Sequence, residues 1–316
     1  MVYKTFLETV ALRLQNLIGD QAAVSLKQIP KNNGVILDSL CICRPQDSIA
    51  PAIYLDSYFR QYQNGVPIDS IIAEIWAVYQ ENSHPDEVRF RNFTSLSHAR
   101  NHIVYKLIST AANRTLLQSL PHIPFLDLSI VFYLMFDDGE TCFSSDIDER
   151  QLARWEMSID ELFSLALENS LSMLPPTVRS LSDVIRGMAA AHLGDEYDAD
   201  LIAKLVSEQN VSQPLYILTN TAEFHGAGCL LYPGQLKNFA DAAESDLIVL
   251  PSSIHEVLLT PDRGSSRHSF FSNMVSQINE DEVRREEQLS DHIYLYSRES
   301  GRLYTPSGES AAIPSR

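Results

Sequence analysis

Cysteine, positive charge and long apolar runs are all scarce in this chain, and each scarcity removes a class of protein. Four cysteines in 316 residues are too few to staple a fold of this size, which excludes a disulfide scaffold. Cys41 and Cys43 share one side of an expected strand, yet no second C-x-C or C-x-x-C completes a metal site, so they read as buried structural thiols. The longest apolar runs, such as Ile130 to Phe136, fall well short of the roughly 20 residues that cross a bilayer. No membrane partner is expected. The stretch from Met1 to Glu8 has no basic region leading into a clean apolar core, as a secretory leader requires, and a cytoplasmic location is the expectation.

Bases are few: 24 Lys and Arg stand against 41 Asp and Glu, a net charge of -17 with a pI near 4.8. Such a balance repels phosphate backbones and anionic lipid, so nucleic-acid binding by the whole protein is disfavoured. The acids are spread along the chain among bases, unlike the concentrated carboxylates of a DNA mimic. What is present is an ordinary globular composition, 45% hydrophobic and 21% charged, enough to build a core. The length suits one large or two ordinary domains, and two are expected.

Apolar residues recur at Phe6, Leu7, Val10, Leu14, Leu17 and Ile18, a helical stripe closed by Gly19. Strands follow over Ala23 to Ile29 and Gly34 to Cys43, joined through the Asn33-Gly34 turn signal. Helical periodicity runs from Ile53 to Tyr62, from Ile68 to Tyr79 and from Leu96 to Leu120. The run from Leu128 to Phe136 and the segment Glu140 to Phe143 read as a hairpin through Asp138-Gly139. Ser158 and Glu161 have capping-box spacing, and the helix they open is stopped by Pro175-Pro176. Beyond it come strands over Leu215 to Thr219, Ala227 to Tyr232, Leu247 to Leu250 and Glu256 to Thr260, with helices over Pro233 to Ala243 and Ser266 to Ile278. A closing hairpin spans Ile293 to Ser297 and Arg302 to Thr305.

Short links between neighbouring strands favour antiparallel pairing. The expected fold is α+β, mainly antiparallel sheets with packed helices in two α/β subdomains. Its parts are an N-terminal α+β domain over 1–175, a helical connector over 176–212, a C-terminal α+β domain over 213–305 and a flexible tail over 306–316.

Long strings carry a resemblance: Tyr216-Ile-Leu-Thr-Asn220, His225-Gly-Ala-Gly-Cys-Leu-Leu-Tyr232, Asp246 through Pro251-Ser-Ser-Ile-His-Glu-Val257, and Leu289 to Tyr296. In the N-terminal half, Lys31 to Val35, Pro51 to Leu55 and Leu120 to Tyr133 extend it. Over nearly the whole chain this sequence resembles an uncharacterised bacterial family known only as domain of unknown function 5688. The resemblance implies a protein often carried on bacterial mobile elements, and it supplies no catalytic residue to carry over.

The sharpest chemical string is Pro251-Ser-Ser-Ile-His-Glu256, placed after an expected buried strand. A hydrolase would use Ser252 or Ser253 as nucleophile, His255 as base, Asp246 or Glu256 as the orienting carboxylate and Asn220 as oxyanion donor. Against it, no G-x-S-x-G elbow exposes the serine, and residues two apart on a strand are poorly placed for a triad. Turn chemistry, with hydroxyls capping loose backbone groups, explains the same string. His255-Glu256 is not a zinc-protease motif, because Leu259 stands where the second histidine belongs. No phosphate loop occurs, and Gly226-Ala-Gly228 lacks the third glycine of a dinucleotide fingerprint. No cofactor is expected.

One further absence is local. Between Val88 and Leu126 there is no Asp or Glu, while Arg89, Arg91, Arg100, Lys106 and Arg114 supply cations and His98, His102 and His122 add titratable groups. This basic island could engage phosphate or carboxylate. His98 and His102, at i and i+4 on the expected helix, have metal-ligand spacing with only His122 as a third candidate, and an exposed helix face explains them as well. No metal is therefore assigned. The functional expectation is a non-enzymatic binding or regulatory protein, taking a protein or small anionic ligand through Arg89 to Arg114. The alternative is a hydrolase using Ser253 and His255.

Overall fold

A computed structural model describes residues 1–44, 52–82, 95–137, 142–186, 214–264 and 267–313. The chain forms two compact units, Met1–Arg100 and Asn101–Arg316. The boundary expected near 175 falls inside the second unit.

In the first unit the opening stripe forms helix α1 (Tyr3–Ile18), which ends where Gly19 takes φ 62° and returns its N–H to Gln15. The Gln15 side chain then ties down the exit, donating to Gly19 and Ala22 and accepting from the Val24 N–H. Strands β1 (Ala23–Pro30) and β2 (Ile36–Cys43) pair antiparallel. Between them Asn33 and Gly34 sit at φ 58° and 69°, the left-handed pair that the Asn-Gly signal foretold. The expected helix from Ile53 starts later: Ala52–Tyr54 is β3, the third strand of this sheet, and α2 covers Asp56–Gln63. With α3 (Ile68–Asn82) these elements enclose Phe6, Val10, Leu14, Leu40, Ile71 and Ile75, each fully buried.

The helix expected from Leu96 to Leu120 is corrected. Only Leu96–Ala99 (α4) is α-helical, followed by a 3₁₀ turn over Arg100–His102. In the second unit, Ile103–Ser109 is strand β4. An apolar run buried on both faces carries no period that separates helix from strand, and Ile103, Val104, Tyr105, Leu107 and Ile108 are all buried.

β4 pairs with β6 (Leu128–Asp137), whose other edge carries β5 (His122–Phe125) and then β7 (Cys142–Asp146). Helix α5 (Glu149–Trp155) follows, and then α6 (Ile159–Met173), opened by the Ser158–Glu161 capping box and packed on β4.

The larger sheet has seven antiparallel strands in the order β14-β13-β12-β10-β11-β9-β8. Its strands are β8 (Pro176–Ser180), β9 (Tyr216–Asn220), β10 (Leu247–Pro251), β11 (Val257–Pro261), β12 (Tyr294–Ser297), β13 (Arg302–Tyr304) and β14 (Ser310–Ala312). The expected connector thus opens with a strand, and the expected tail contributes another. Helices α7 (Gln235–Ala243) and α8 (His268–Asp281) complete the unit, with Phe271 and Val275 of α8 packed on Ile248 and Leu250. Asp127, in the tight turn before β6, accepts from Tyr294 at 2.7 Å and Ser290 at 2.6 Å, and so clamps the two sheets of this unit together. No described helix is long and apolar enough to cross a membrane.

The strand expected over Ala227–Tyr232 is also corrected: Gly226–Leu231 is a 3₁₀ helix, buried throughout. Tyr105 donates to the Gly228 carbonyl at 2.9 Å, and Cys229 donates to the Thr219 carbonyl. Those bonds satisfy a buried, non-sheet backbone.

Candidate functional site

β9 and β10 run in the same direction, each antiparallel to β11 between them. Their carboxyl ends therefore deliver two loops to one end of the sheet, Thr221–His225 and Pro251–Glu256. Loops carried on fixed strands in this way are common places for functional side chains.

The first loop is shaped by Asn220. Its amide donates to the Phe224 carbonyl at 2.8 Å, and its oxygen accepts from the backbone N–H of Ala222 and Phe224. This buried amide is committed to its own loop, the expected behaviour of an Asx turn. Glu223 and His225 take left-handed φ of 51° and 52°. Gly226 follows under strict steric demand: a Cβ there would lie 2.1 Å from Thr219 Oγ1 and 2.4 Å from the His255 carbonyl oxygen.

The second loop closes on the first. Thr219 Oγ1 donates to the His255 carbonyl at 2.8 Å, and the His225 N–H donates to His255 Nδ1 at 3.2 Å. Within the loop, Ser253 Oγ accepts the His255 N–H at 3.0 Å, and Ser252 donates to Glu256 at 3.4 Å. From the 3₁₀ turn Arg285–Glu287, the Glu287 carbonyl accepts the Ile254 N–H, and its carboxylate lies 4.0 Å from His255 Nε2. Arg284 pairs with Glu287.

The two imidazoles lie nearly parallel, centroids 5.6 Å apart and planes 13° apart. Phe224 covers His225 at 3.9 Å, and the Tyr133 ring meets it edge-on at 4.9 Å. His225 is buried, and its Nδ1 has no hydrogen-bond partner. Burial, reinforced by Lys106 and His255, holds His225 well below the ordinary histidine range. His255 is also lowered by burial, against the opposing pull of Glu287. Burial raises Glu256, while its bond from Ser252 lowers it. The Cys229 thiol is pushed up to about 12 by burial, which leaves it an unreactive structural group.

Ser253, His255 and Glu256 are thus brought to one end of the sheet, but their bonds run to backbone and to neighbours. Ser253 Oγ meets the His255 amide and not its ring. Asp246 stands at the opposite end of β10 from this loop, about 17 Å away at 3.3 Å per residue, where it accepts the Arg298 N–H. His225 and Glu287 were not legible as site residues: His225 precedes a Gly-Ala-Gly run without a motif, and Glu287 sits in a charged stretch that reads as solvated surface.

Arg89 and Arg91 lie outside the described residues. Arg100 is exposed at the end of α4, and Arg114 is exposed in the turn after β4. Lys106, by contrast, is drawn inward: its ammonium lies 2.6 Å from Asp146 and 5.5 Å from the Tyr133 ring centroid, with the side chain only 15% exposed. His98 and His102 do not share the expected helix. His102 contacts the Met135 carbonyl and packs at a tilt against Phe136, and His122 contacts the Leu120 carbonyl. Among the described residues no cluster of His, Cys, Asp and Glu is arranged to hold a metal ion.

The model of the Family of unknown function (DUF5688) matches residues 3–298. No curated protein and no solved structure matches the chain.

Proposed function

The chain belongs to this family of unknown function, and from that premise we propose that it is a non-enzymatic binding or regulatory protein whose contacts run through the acid-free segment from Val88 to Leu126. One observation carries the reading. The groups that would do chemistry are spent on holding loops: Ser253 Oγ accepts the His255 N–H, and His255 Nδ1 accepts the His225 N–H. A nucleophile needs its base within hydrogen-bond reach, and here each is engaged by an amide. The segment from Val88 to Leu126 remains the only long stretch without a carboxylate in a chain of net charge -17. Lys106 pairs with Asp146, and the segment's Arg89, Arg91, Arg100 and Arg114 carry guanidinium forks of the kind that suits carboxylate or phosphate.

The test is recovery of bound partners from the native cell with the full chain and with an Arg89→Glu, Arg91→Glu, Arg100→Glu variant. Loss of capture in the variant is expected. Unchanged capture contradicts the assignment to this segment.

A hydrolase of undefined substrate working through Ser253 and His255 is the second reading, favoured by the half-buried His255 ring facing the Glu287 carboxylate. It requires Ser253 to turn away from the amide that it now caps.

A further inference from the structure

The geometry points to a proton-operated latch: the loops 220–226 and 251–256 are held together by a neutral His255 and come apart when the stacked His225 and His255 take up protons. The hydrogen bond from the His225 N–H fixes His255 Nδ1 as an acceptor, which a neutral imidazole supplies and an imidazolium does not. A proton on Nδ1 sets two donors face to face across the junction of the loops. It also places positive charge 5.6 Å from a second, parallel imidazole in a partly buried site, where like charges repel more strongly than in open water.

The charged surroundings are mixed. From β4, Lys106 opposes protonation of His225, although Asp146 of β7 neutralises much of its charge. From the 284–287 turn, Arg284 opposes and Glu287 favours a charged His255. Glu223 accepts an exposed pair from Arg179 of β8, and the half-buried Glu256 stands beside Ser252. Tyr133 of β6 supplies a ring edge. Lys106 and His255 both disfavour a charged His225, and the Tyr133 ring edge lies 4.9 Å from it.

The direction follows from linkage. Both histidines are lowered from the ordinary 6.5 in the closed form, so the open form binds protons first. Latch stability is fully present above 6.5 and is lost progressively as pH falls below it, until the lowered closed-form values are passed. Glu256, raised from 4.5 by burial, has the opposite sign: its contribution is present below 4.5 and is lost as pH rises above it. The latch shares the His225 N–H to His255 Nδ1 bond with the reading above, but its test reads loop opening and the test of that reading is partner capture, so the two fail separately.

Amide exchange of the full chain, corrected for intrinsic rate, tests the latch between about pH 7.5 and about pH 5.5. Opening of 220–226 and 251–256 is expected to rise about tenfold per pH unit below 6.5 if one imidazole is protonated on opening, and about a hundredfold if both are. The strands β10 and β12 serve as the internal reference and stay protected. In His255→Asn the side-chain oxygen replaces Nδ1 as acceptor without titrating, and in His225→Asn the left-handed backbone is retained by a residue that tolerates it. The double variant is expected to keep its loops closed at both pH values. Wild-type loops equally protected at both pH values overturn the latch, whatever the variants do. So does acid opening that persists unchanged in a folded double variant.

Discussion

At the scale of single residues, the two loops are over-determined. Gly226 has no space for a methyl group, because the Thr219 hydroxyl and the His255 carbonyl occupy it from two sides. Gly226→Ala is expected to cost about 2 kcal/mol or more through forced displacement of backbone, read as a lowered urea midpoint with unchanged slope. Asn220 makes three internal bonds that no water replaces at a buried site. Asn220→Ala is expected to cost about 2–3 kcal/mol, with the largest loss of amide protection at Ala222 and Phe224. Neither role was visible in sequence, where Asn220 reads equally as an oxyanion donor. The difference lies in which atoms lie within hydrogen-bond reach, and spacing along a chain does not encode that.

At the scale of elements, local signals were dependable wherever one physical effect decided the outcome. Gly19, Asn33-Gly34 and the Ser158–Glu161 box each mark a terminus or turn that backbone chemistry alone specifies. Ser158→Ala is expected to lower stability by about 1 kcal/mol, measured by thermal or urea unfolding, with fraying confined to the first turn of α6. The failures fall on segments buried all round. Ile103–Ser109 is buried on both faces except at Lys106 and Ser109, and Gly226–Leu231 is buried throughout, so hydrophobic periodicity has little to report. Tertiary bonds decide them: pairing with β6 makes the first a strand, and the hydroxyls of Tyr105 and Thr219 flank the second as it coils. The same correction separates His98 from His102, whose i, i+4 spacing implied a shared helical face only while a helix was assumed.

At the scale of the whole molecule, the antiparallel α+β plan followed from short links between strands. The joining of β8 to β9 in one sheet did not, since nothing local announces a pairing across 187–213. The net charge of -17 and pI near 4.8 set the collective behaviour. Light scattering is expected to show self-association rising as pH approaches 4.8 and self-repulsion is lost, with added salt weakening that repulsion at neutral pH. The acid-free segment stands out against this field, and the binding reading depends on Ser253 and His255 acting as loop fasteners. A serine-directed fluorophosphonate applied to the folded full chain tests that claim most directly. No labelling of Ser253 is expected, and Ser253→Ala should lower stability by about 1 kcal/mol. Labelling at Ser253 that disappears in Ser253→Ala and falls in His255→Asn contradicts it.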